Sequence, residues 1–266
     1  MRLLLALLLT LPTWAQDLAF TKSGKGPGII LIHGFAGNRG VWKDTAKALS
    51  AKHTVLAVDL PGCGESPALP PGQVDFGLLA DQVAKLGRRE LDGNFVVVAH
   101  SMGGLVALRM ASRHGESVRG VVFLDVPLKP LEGVAAETLA KALEADVAGT
   151  FRSRYAAFAA SPEQLDRVVA EAAQVPGPVL AGYTRGRMAS TEGDVARVIC
   201  PVLLVASPIL VPSAAQPELD ARAAGYAGFR TLQVVRLAEA KHWVMWDEPR
   251  LVHRAILEFV ANLGKP

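Results

Sequence analysis

Short runs of Val, Ile and Leu recur along the chain, with helical patterns between them. Six runs predict strands, at residues 28–32, 55–58, 95–99, 121–124, 202–206 and 232–237. Because each run is almost continuously apolar, both faces of its strand must be covered, as in a parallel sheet packed between helices. Helical patterns lie at 41–50, 75–86, 102–114 and 248–263. The alternation predicts an α/β fold with a mostly parallel central sheet and helices on both faces.

The segment 129–196 departs from this alternation. It is rich in Ala, helical in pattern and without a buried-strand run. Ser161, Pro162 and Gln164 mark one helix start in it, with a capping residue, a proline in the first turn and a capping-box glutamine. We expect this segment to form an inserted helical cap; ordinary packing helices with no role over a site are the alternative. The core would then comprise residues 16–128 and 197–266.

The first residues have the pattern of a secretory signal. Arg2 supplies a positive charge, residues 3–11 are almost all apolar, and Ala15 precedes the expected cleavage site. The apolar stretch is too short to span a bilayer, and no later run reaches the length of a spanning helix. We expect a signal peptide at 1–15, a secreted or periplasmic protein, and no stable membrane anchor. A buried N-terminal helix is the alternative.

Charge and cysteine content argue against several classes of function. The formal net charge is +3, and the Lys and Arg residues are scattered among acidic ones, so no nucleic-acid partner is expected.

The two cysteines lie at opposite ends of the predicted sheet, because Cys63 follows one predicted strand and Cys200 precedes another. We expect both to be small buried side chains without a disulfide. No His, Cys or carboxylate pair has metal-ligand spacing, so we expect no metal and no cofactor. The oligomeric state is left open.

The densest motif is a buried strand that runs directly into a helix, Phe95-Val-Val-Val-Ala-His-Ser-Met-Gly-Gly104. Ser101 stands at the corner, where a sharp turn exposes its hydroxyl, and the small residues Ala99, Gly103 and Gly104 let strand and helix approach closely. This segment resembles the nucleophile elbow Gly-x-Ser-x-Gly of the α/β-hydrolase superfamily, with Ala99 in place of the first glycine. An N-cap serine in an ordinary turn is the alternative.

Two further segments strengthen the resemblance. The strand at 28–32 ends in His33-Gly34-Phe35, which is similar to the family's oxyanion loop. The resemblance assigns the backbone N–H groups of Phe35 and Met102 to the oxyanion hole, with His33 as a tether for the loop. Asp59-Leu-Pro-Gly-Cys-Gly-Glu-Ser66 is similar to the turn that follows the next strand in this family, and we expect it to shape the fold.

A histidine near the end of the chain completes the pattern. Lys241-His-Trp-Val-Met-Trp-Asp-Glu-Pro249 resembles the family's histidine loop, which makes His242 the general base for Ser101. Relatives commonly carry the third residue of the triad after the strand at 202–206, where this chain has no carboxylate. We therefore assign the acid to Asp125, which ends the strand at 121–124. A structural role for Asp125 is the alternative; Glu218 and Asp220 are the next candidates.

These motifs imply a serine esterase-like enzyme that cleaves a small-molecule ester through an acyl-enzyme. An Ala- and Phe-containing cap at the carboxyl edge of the sheet would cover the serine and hold an apolar acyl or aryl group. The candidate pocket walls are Phe151, Tyr155, Phe158, Tyr183 and Met188.

Two other functions are compatible with the same motifs. The first is hydrolytic C–C cleavage of a vinylogous keto acid, in which basic cap residues would clamp a carboxylate. The candidates for that clamp are Arg152, Arg154, Arg185 and Arg187. The second is a non-catalytic binding protein on the same fold, suggested by the missing acid after residue 206. Epoxide and haloalkane hydrolysis are disfavoured, because those relatives carry Asp where this chain has Ser101.

Overall fold

The computed structural model describes residues 17–70 and 74–264. The signal peptide predicted at 1–15 lies outside the described residues. Within them, no helix is long and apolar enough to cross a membrane.

A seven-stranded sheet forms the centre of the molecule. Its strands are β1 (Phe20–Ser23), β2 (Gly28–Ile32), β3 (Thr54–Val58), β4 (Phe95–His100), β5 (Val118–Leu124), β6 (Val202–Ala206) and β7 (Leu232–Arg236). The order across the sheet is β1-β3-β2-β4-β5-β6-β7, and only β1 runs antiparallel to its neighbour. The predicted α/β fold class is confirmed. The sequence missed β1, because three of its four residues are exposed and it carries no apolar run.

Helices connect the strands. They are α1 (Lys43–Leu49), α2 (Phe76–Glu90), α3 (Gly103–Arg113), α4 (Gly133–Ala145), α5 (Val147–Tyr155), α6 (Pro162–Ala172), α7 (Gly177–Gly186), α8 (Glu192–Arg197), α9 (Pro217–Ala221), α10 (Val244–Asp247) and α11 (Pro249–Asn262). A short 3-10 turn at Arg39–Trp42 precedes α1, and a wide π turn at Arg222–Tyr226 follows α9. The pattern predicted at 41–50 therefore joins the end of the 3-10 turn to α1.

The strand residues alternate between two apolar layers, as the two-residue repeat of a strand requires. In β4, Val97 and Ala99 belong to the layer that contains residues of α2 and α3. Val96 and Val98 belong to the opposite layer, which contains residues of α1 and α11. The central strands are thus covered on both faces, and their loops at the carboxyl edge are held by a rigid sheet.

The chain between β5 and β6 contains α4 to α8, in the segment expected to form the cap. Ser161 caps α6 by accepting a hydrogen bond from the Gln164 N–H at 3.2 Å, while the Gln164 side chain accepts one from the Ala160 N–H at 2.7 Å. A Cβ at Gly177 would lie 2.5 Å from the Leu143 carbonyl oxygen, so this glycine permits close packing of α7 on α4.

Neither cysteine forms a disulfide. Cys63 is fully buried, and burial raises the pKa of its thiol to about 12. Cys200 is partly buried, and the same cause raises its pKa to about 11. Both thiols therefore remain protonated at neutral pH.

Candidate active site

Ser101 lies at the sharp turn between β4 and α3. Its φ of 49° is in the left-handed region, a strained conformation for a residue with a side chain. The two positions after Met102 tolerate no side chain: a Cβ at Gly103 would lie 2.3 Å from the His33 carbonyl oxygen, and one at Gly104 2.3 Å from Val126 Cγ1. The sequence Ser-Met-Gly-Gly therefore holds the serine at the carboxyl edge of the sheet. There its side chain lines a pocket together with Phe35, Phe151 and Tyr155.

His242 lies in the loop between β7 and α10 and meets the serine from the other side. Its Nε2 is 2.9 Å from Ser101 Oγ, and its Nδ1 is 2.7 Å from Asp125 Oδ2. Because a carboxylate only accepts hydrogen bonds, the Nδ1 carries the proton and the Nε2 lone pair faces the serine hydroxyl. The three side chains form one continuous chain of hydrogen bonds.

Asp125 is held firmly at the end of β5. Its φ of 50° is also left-handed, and its backbone N–H donates to the Val205 carbonyl at 2.8 Å. The second carboxylate oxygen accepts the Ser207 N–H at 2.8 Å. Ser207 directly follows β6, in the segment where relatives commonly carry the acid and this chain has none. In this chain that segment donates a backbone N–H to the carboxylate of Asp125.

His100, which precedes the serine, contacts both the histidine loop and the expected oxyanion loop. Its Nε2–H donates to the His242 carbonyl at 2.8 Å, and the two rings lie 4.8 Å apart between centroids. A Cβ at Gly34 would lie 2.7 Å from His100 Nδ1, so the ring also packs on the expected oxyanion loop. Burial lowers the pKa of His100 well below its usual value, and the nearby His242 adds to this effect, so the ring stays neutral. The sequence assigned His100 no role in the site, because nothing in its spacing indicates this bond.

The loop after β2 brings Phe35 against the serine pocket. His33 anchors this loop, since its Nε2 accepts the Leu60 N–H at 2.9 Å and its Nδ1 lies 2.8 Å from the Gly34 carbonyl. Burial lowers the pKa of His33, which keeps it neutral for this bridge. Among the hydrogen bonds of the described residues, none is donated by the backbone N–H of Phe35 or Met102. Both donors remain available for an oxyanion.

The turn after β3 is built around Asp59, which is fully buried. Its carboxylate accepts the N–H groups of Arg39 at 2.6 Å and Glu65 at 2.9 Å and pairs with the Arg39 guanidinium. The Ser66 hydroxyl donates to the Asp59 carbonyl at 2.6 Å. A Cβ at Gly64 would lie 2.2 Å from the carboxylate, so the glycine is required. These contacts form a structural brace at the carboxyl end of β3.

Aromatic side chains from the cap close the site. The Phe35 and Phe151 rings stack at 5.6 Å, Phe151 and Tyr155 at 4.5 Å, and Tyr155 lies 6.4 Å from the His242 ring. The pocket that these residues form around Ser101 holds only about 20 Å³ of free space, roughly what one water molecule needs. Phe151 and Tyr155, both expected at the pocket wall, lie there.

The remaining cap candidates lie in different surroundings. Phe158 packs edge-on to the His242 ring at 5.9 Å, and its carbonyl accepts the His242 N–H at 3.1 Å. Tyr183, expected at the pocket wall, is buried elsewhere and donates to the Pro61 carbonyl at 2.9 Å. Met188, expected there too, is 43% exposed on the cap surface. The structure thus corrects these assignments: Tyr183 is buried against Pro61, Met188 follows α7 at the surface, and Phe158 contacts the histidine without lining the pocket. Val168 and Glu171 of α6 line the pocket in addition.

The cap is also bonded to the histidine loop. The Gln164 amide donates to Asp247 Oδ1 at 2.7 Å, and Asp247 Oδ2 accepts the Lys241 N–H at the same distance. Burial raises the pKa of Asp247. The start of α6 therefore helps to fix the segment that carries His242.

Two of the four candidate clamp arginines are occupied by carboxylates. Arg152 pairs with Asp166 at 2.6 Å, and Arg185 pairs with Glu137 and Glu144, each at 2.9 Å. Arg154 and Arg187 pair with no carboxylate among the described residues. In the same part of the chain, no group of three or more His, Cys, Asp or Glu residues is arranged to hold a metal ion.

The comparisons with known proteins agree with this architecture. A family model described as alpha/beta hydrolase fold matches residues 27–249, so the chain belongs to the alpha/beta hydrolase family. It is similar to the pimeloyl-[acyl-carrier protein] methyl ester esterase of Aeromonas hydrophila, at 29% identity over 92% of this chain and 100% of that one. The enzyme of the same name from Neisseria meningitidis is 36% identical over 48% of either chain.

Solved structures give the same fold. An esterase from Thermogutta terrifontis, with malate bound, superposes with a TM-score of 0.80 at 24% identity and covers 93% of this chain and 94% of that one. An E-2-(acetamidomethylene)succinate hydrolase superposes with a TM-score of 0.71 at 25% identity, over 92% of this chain and 95% of that one. The fold is therefore shared by enzymes with different substrates.

Proposed function

We propose that this protein cleaves carboxylic esters through an acyl-enzyme formed on Ser101. The observation that carries the proposal is the continuous hydrogen-bonded chain from Ser101 Oγ through His242 to Asp125. The class is that of the named relatives: the chain is a carboxylic ester hydrolase of the alpha/beta hydrolase family. The roles of the individual residues are part of the proposal.

In the first half of the reaction, His242 Nε2 takes the Ser101 proton while Oγ attacks the ester carbonyl carbon. The carbonyl oxygen becomes an oxyanion, which the backbone N–H groups of Phe35 and Met102 stabilise. Asp125 stabilises the imidazolium through Nδ1. The imidazolium then gives its proton to the ester oxygen as the carbon–oxygen bond breaks, so the alcohol leaves and the acyl group stays on Ser101.

In the second half, water replaces the alcohol. His242 Nε2 takes a proton from the water as its oxygen attacks the acyl carbon, and the same N–H groups hold the second oxyanion. The proton returns to Ser101 Oγ as the acyl bond breaks. The carboxylic acid leaves and the free serine is restored, so no cofactor is consumed.

The small aromatic pocket favours a small-molecule ester with an apolar acyl part. The relatives are named for a methyl ester, and a methoxy leaving group is compatible with the restricted space over Ser101. We also propose that the protein is exported. This rests on Arg2 and the apolar residues 3–11 alone.

A turnover assay with short-chain nitrophenyl and methyl esters tests the reaction. We expect hydrolysis by the purified protein and a loss on the order of a million-fold in kcat for Ser101→Ala. The matched control is Ser112→Ala, which removes a hydroxyl from α3 whose contacts are with Asp194 and Arg197; it should retain activity. No turnover with any ester, or equal activity in Ser101→Ala, would refute the proposal.

A further inference from the structure

The pocket around Ser101 contains a carboxylate that the proposed reaction does not use. Glu171 of α6 lines this pocket together with Val168, which lies three residues earlier on the same helix face. Among the residues that the structure describes, no Lys, Arg or Asp lines the pocket. Any ester bound over Ser101 therefore meets an acidic side chain that no basic residue of the pocket wall offsets.

Glu171 is held in place from outside the pocket. Arg167, one turn earlier in α6, donates from its Nε to Glu171 Oε1 at 3.1 Å. The guanidinium carbon of Arg167 lies 3.9 Å from the centroid of the Trp246 ring, a cation–π contact. The Trp246 indole N–H in turn donates to the Val41 carbonyl at 3.1 Å, and Val41 lines the same pocket. These contacts connect the cap to the core and fix the carboxylate at the pocket wall.

The two charges of this ion pair differ in their surroundings. The Arg167 side chain is 50% exposed and does not line the pocket, whereas the Glu171 side chain is 20% exposed and does. The negative end of the pair thus lies at the pocket and the positive end lies in solvent.

The second oxygen of Glu171 is available to a ligand. Arg167 occupies Oε1, and no donor among the described residues bonds to Oε2. A carboxylate oxygen can accept a hydrogen bond from an ammonium, amide or hydroxyl group. Because the pocket has only about 20 Å³ of free space, a bound ester contacts the lining residues directly. Little water then remains to screen the Glu171 charge.

We propose that Glu171 is a specificity-determining residue that selects esters by charge. A carboxylate attracts an ammonium or N–H group and repels a second carboxylate, and both effects are strongest where water is excluded. The inference rests on the proposed function and narrows it: the preferred esters carry a cationic or N–H-donating group on the acyl part, and anionic esters are disfavoured. With a methoxy leaving group, the acyl part is the portion that can carry such a group. The keto acids of the C–C cleavage reaction, which carry a carboxylate, are disfavoured for the same reason.

Three methyl esters test the charge preference. Methyl 6-aminohexanoate, methyl heptanoate and monomethyl adipate place a cation, a methyl group and an anion at nearly the same distance from the ester carbonyl. Methanol release measures kcat/KM for each of them. We expect kcat/KM to be about tenfold or more higher for the cationic ester than for the anionic one in the wild type.

Substitution of Glu171 separates its charge from its shape. Glu171→Gln keeps an oxygen that can accept the Arg167 N–H, so the ratio of cationic to anionic kcat/KM should fall about tenfold while the neutral ester is little affected. Arg167→Met leaves the carboxylate without its ion pair, so the same ratio should rise. A general loss of pocket shape cannot produce these opposite changes.

Asp166→Asn is the matched control for Glu171→Gln. Asp166 also lies on α6 and also pairs with an arginine, Arg152, at 2.6 Å, but it does not line the pocket. This variant should leave the ratio unchanged. A wild type that cleaves the cationic and anionic esters equally well would overturn the inference, as would a ratio that Glu171→Gln leaves unchanged.

Ligand binding separates this inference from the esterase proposal. At constant ionic strength, hexylamine should raise the melting temperature of the wild type more than hexanoate does, and Glu171→Gln should abolish the difference. If no ester is cleaved but the wild type still shows this difference and the variant does not, the proposed function fails and the charge preference of the pocket stands. If neutral esters are cleaved but the wild type and Glu171→Gln respond alike to both ligands, the inference about Glu171 fails alone.

Discussion

Asp125 receives two hydrogen bonds, and each has a different purpose. The bond from Ser207 N–H orients the carboxylate, and the bond from His242 Nδ1 fixes the tautomer in which Nε2 can accept the serine proton. Asp125→Asn keeps the shape but presents an amide that can donate to Nδ1 and stabilise the wrong tautomer. We expect kcat to fall on the order of ten-thousand-fold, by analogy with serine proteases, with folding preserved.

The other acids considered for this role provide the control. Asp220 accepts the Ser213 N–H at 2.6 Å, and neither Asp220 nor Glu218 contacts His242. Glu218→Gln should therefore keep wild-type kcat. A nearly active Asp125→Asn enzyme, with circular dichroism equal to that of the wild type, would contradict the assignment.

His100 tests whether the backbone of the histidine loop needs to be held. His100→Phe keeps an aromatic ring but removes the N–H that binds the His242 carbonyl. We expect kcat to fall about tenfold or more with KM little changed, because the free loop samples positions in which Nε2 is too far from Ser101. His100→Gln retains an N–H donor and should recover part of the loss. If the Phe and Gln variants are equally impaired, the bond has no positioning role.

At the scale of elements, we propose that the cap limits the space for the acyl group. Phe151 of α5 stacks between Phe35 and Tyr155. Phe151→Ala should open the pocket and shift the preference toward longer acyl chains, raising the ratio of octanoate to butanoate kcat/KM about tenfold. The control is Met188→Ala, because Met188 is exposed on the same cap. A chain-length profile that Phe151→Ala leaves unchanged would mean that the cap does not limit the acyl group.

The elements differ in how well the sequence predicted them. The strands at 28–32 and 202–206 match β2 and β6 at both ends, because each is a continuous apolar run with a sharp change of composition beside it. The polar strand β1 gave no such signal, since its pairing with β3 depends on the tertiary fold.

The candidate site shows the same limit. Ser101 and His242 could be named from motifs and Asp125 from its place at the end of a predicted strand, and in the structure His242 lies within hydrogen-bond distance of both other residues. Tyr183 and Met188 could not be oriented, since one residue of error in helical phase turns a side chain by about 100°. The hydrogen bond of His100 to the His242 carbonyl depends on which loops meet, and no local pattern contains that information.

For the whole molecule, buried neutral histidines predict a loss of stability in mild acid. Burial is the largest cause of the lowered pKa of His33, His53, His100 and His253. Below about pH 6.5 the unfolded chain binds protons that the folded protein does not, so the free energy of unfolding decreases as the pH falls. We expect His33 and His100 to contribute most to this decrease between pH 7 and pH 5.5, because they are the two most buried of these rings.

Urea denaturation at the two pH values measures this effect. The His100→Gln variant is the control, since it lacks one of the two most buried rings and should lose less stability on acidification. An unfolding free energy that stays constant or increases as the pH falls to 5.5 would contradict the neutral state of these rings.

The proposed export concerns the whole chain as well. Expression of the full sequence in a bacterial host, followed by mass measurement of the periplasmic protein, should give a mature chain that begins after Ala15. An uncleaved protein confined to the cytoplasm would contradict export and leave the enzymatic proposal untouched.

The central claim is that Ser101 carries the acyl group between the two halves of the reaction. Intact-protein mass spectrometry after rapid acid quenching of the enzyme with a nitrophenyl ester measures this directly. We predict a mass increase equal to one acyl group, located by peptide mapping on Ser101 and absent from Ser101→Ala. Turnover without an acyl adduct at any time point, or an adduct on another residue that persists in Ser101→Ala, would contradict the account.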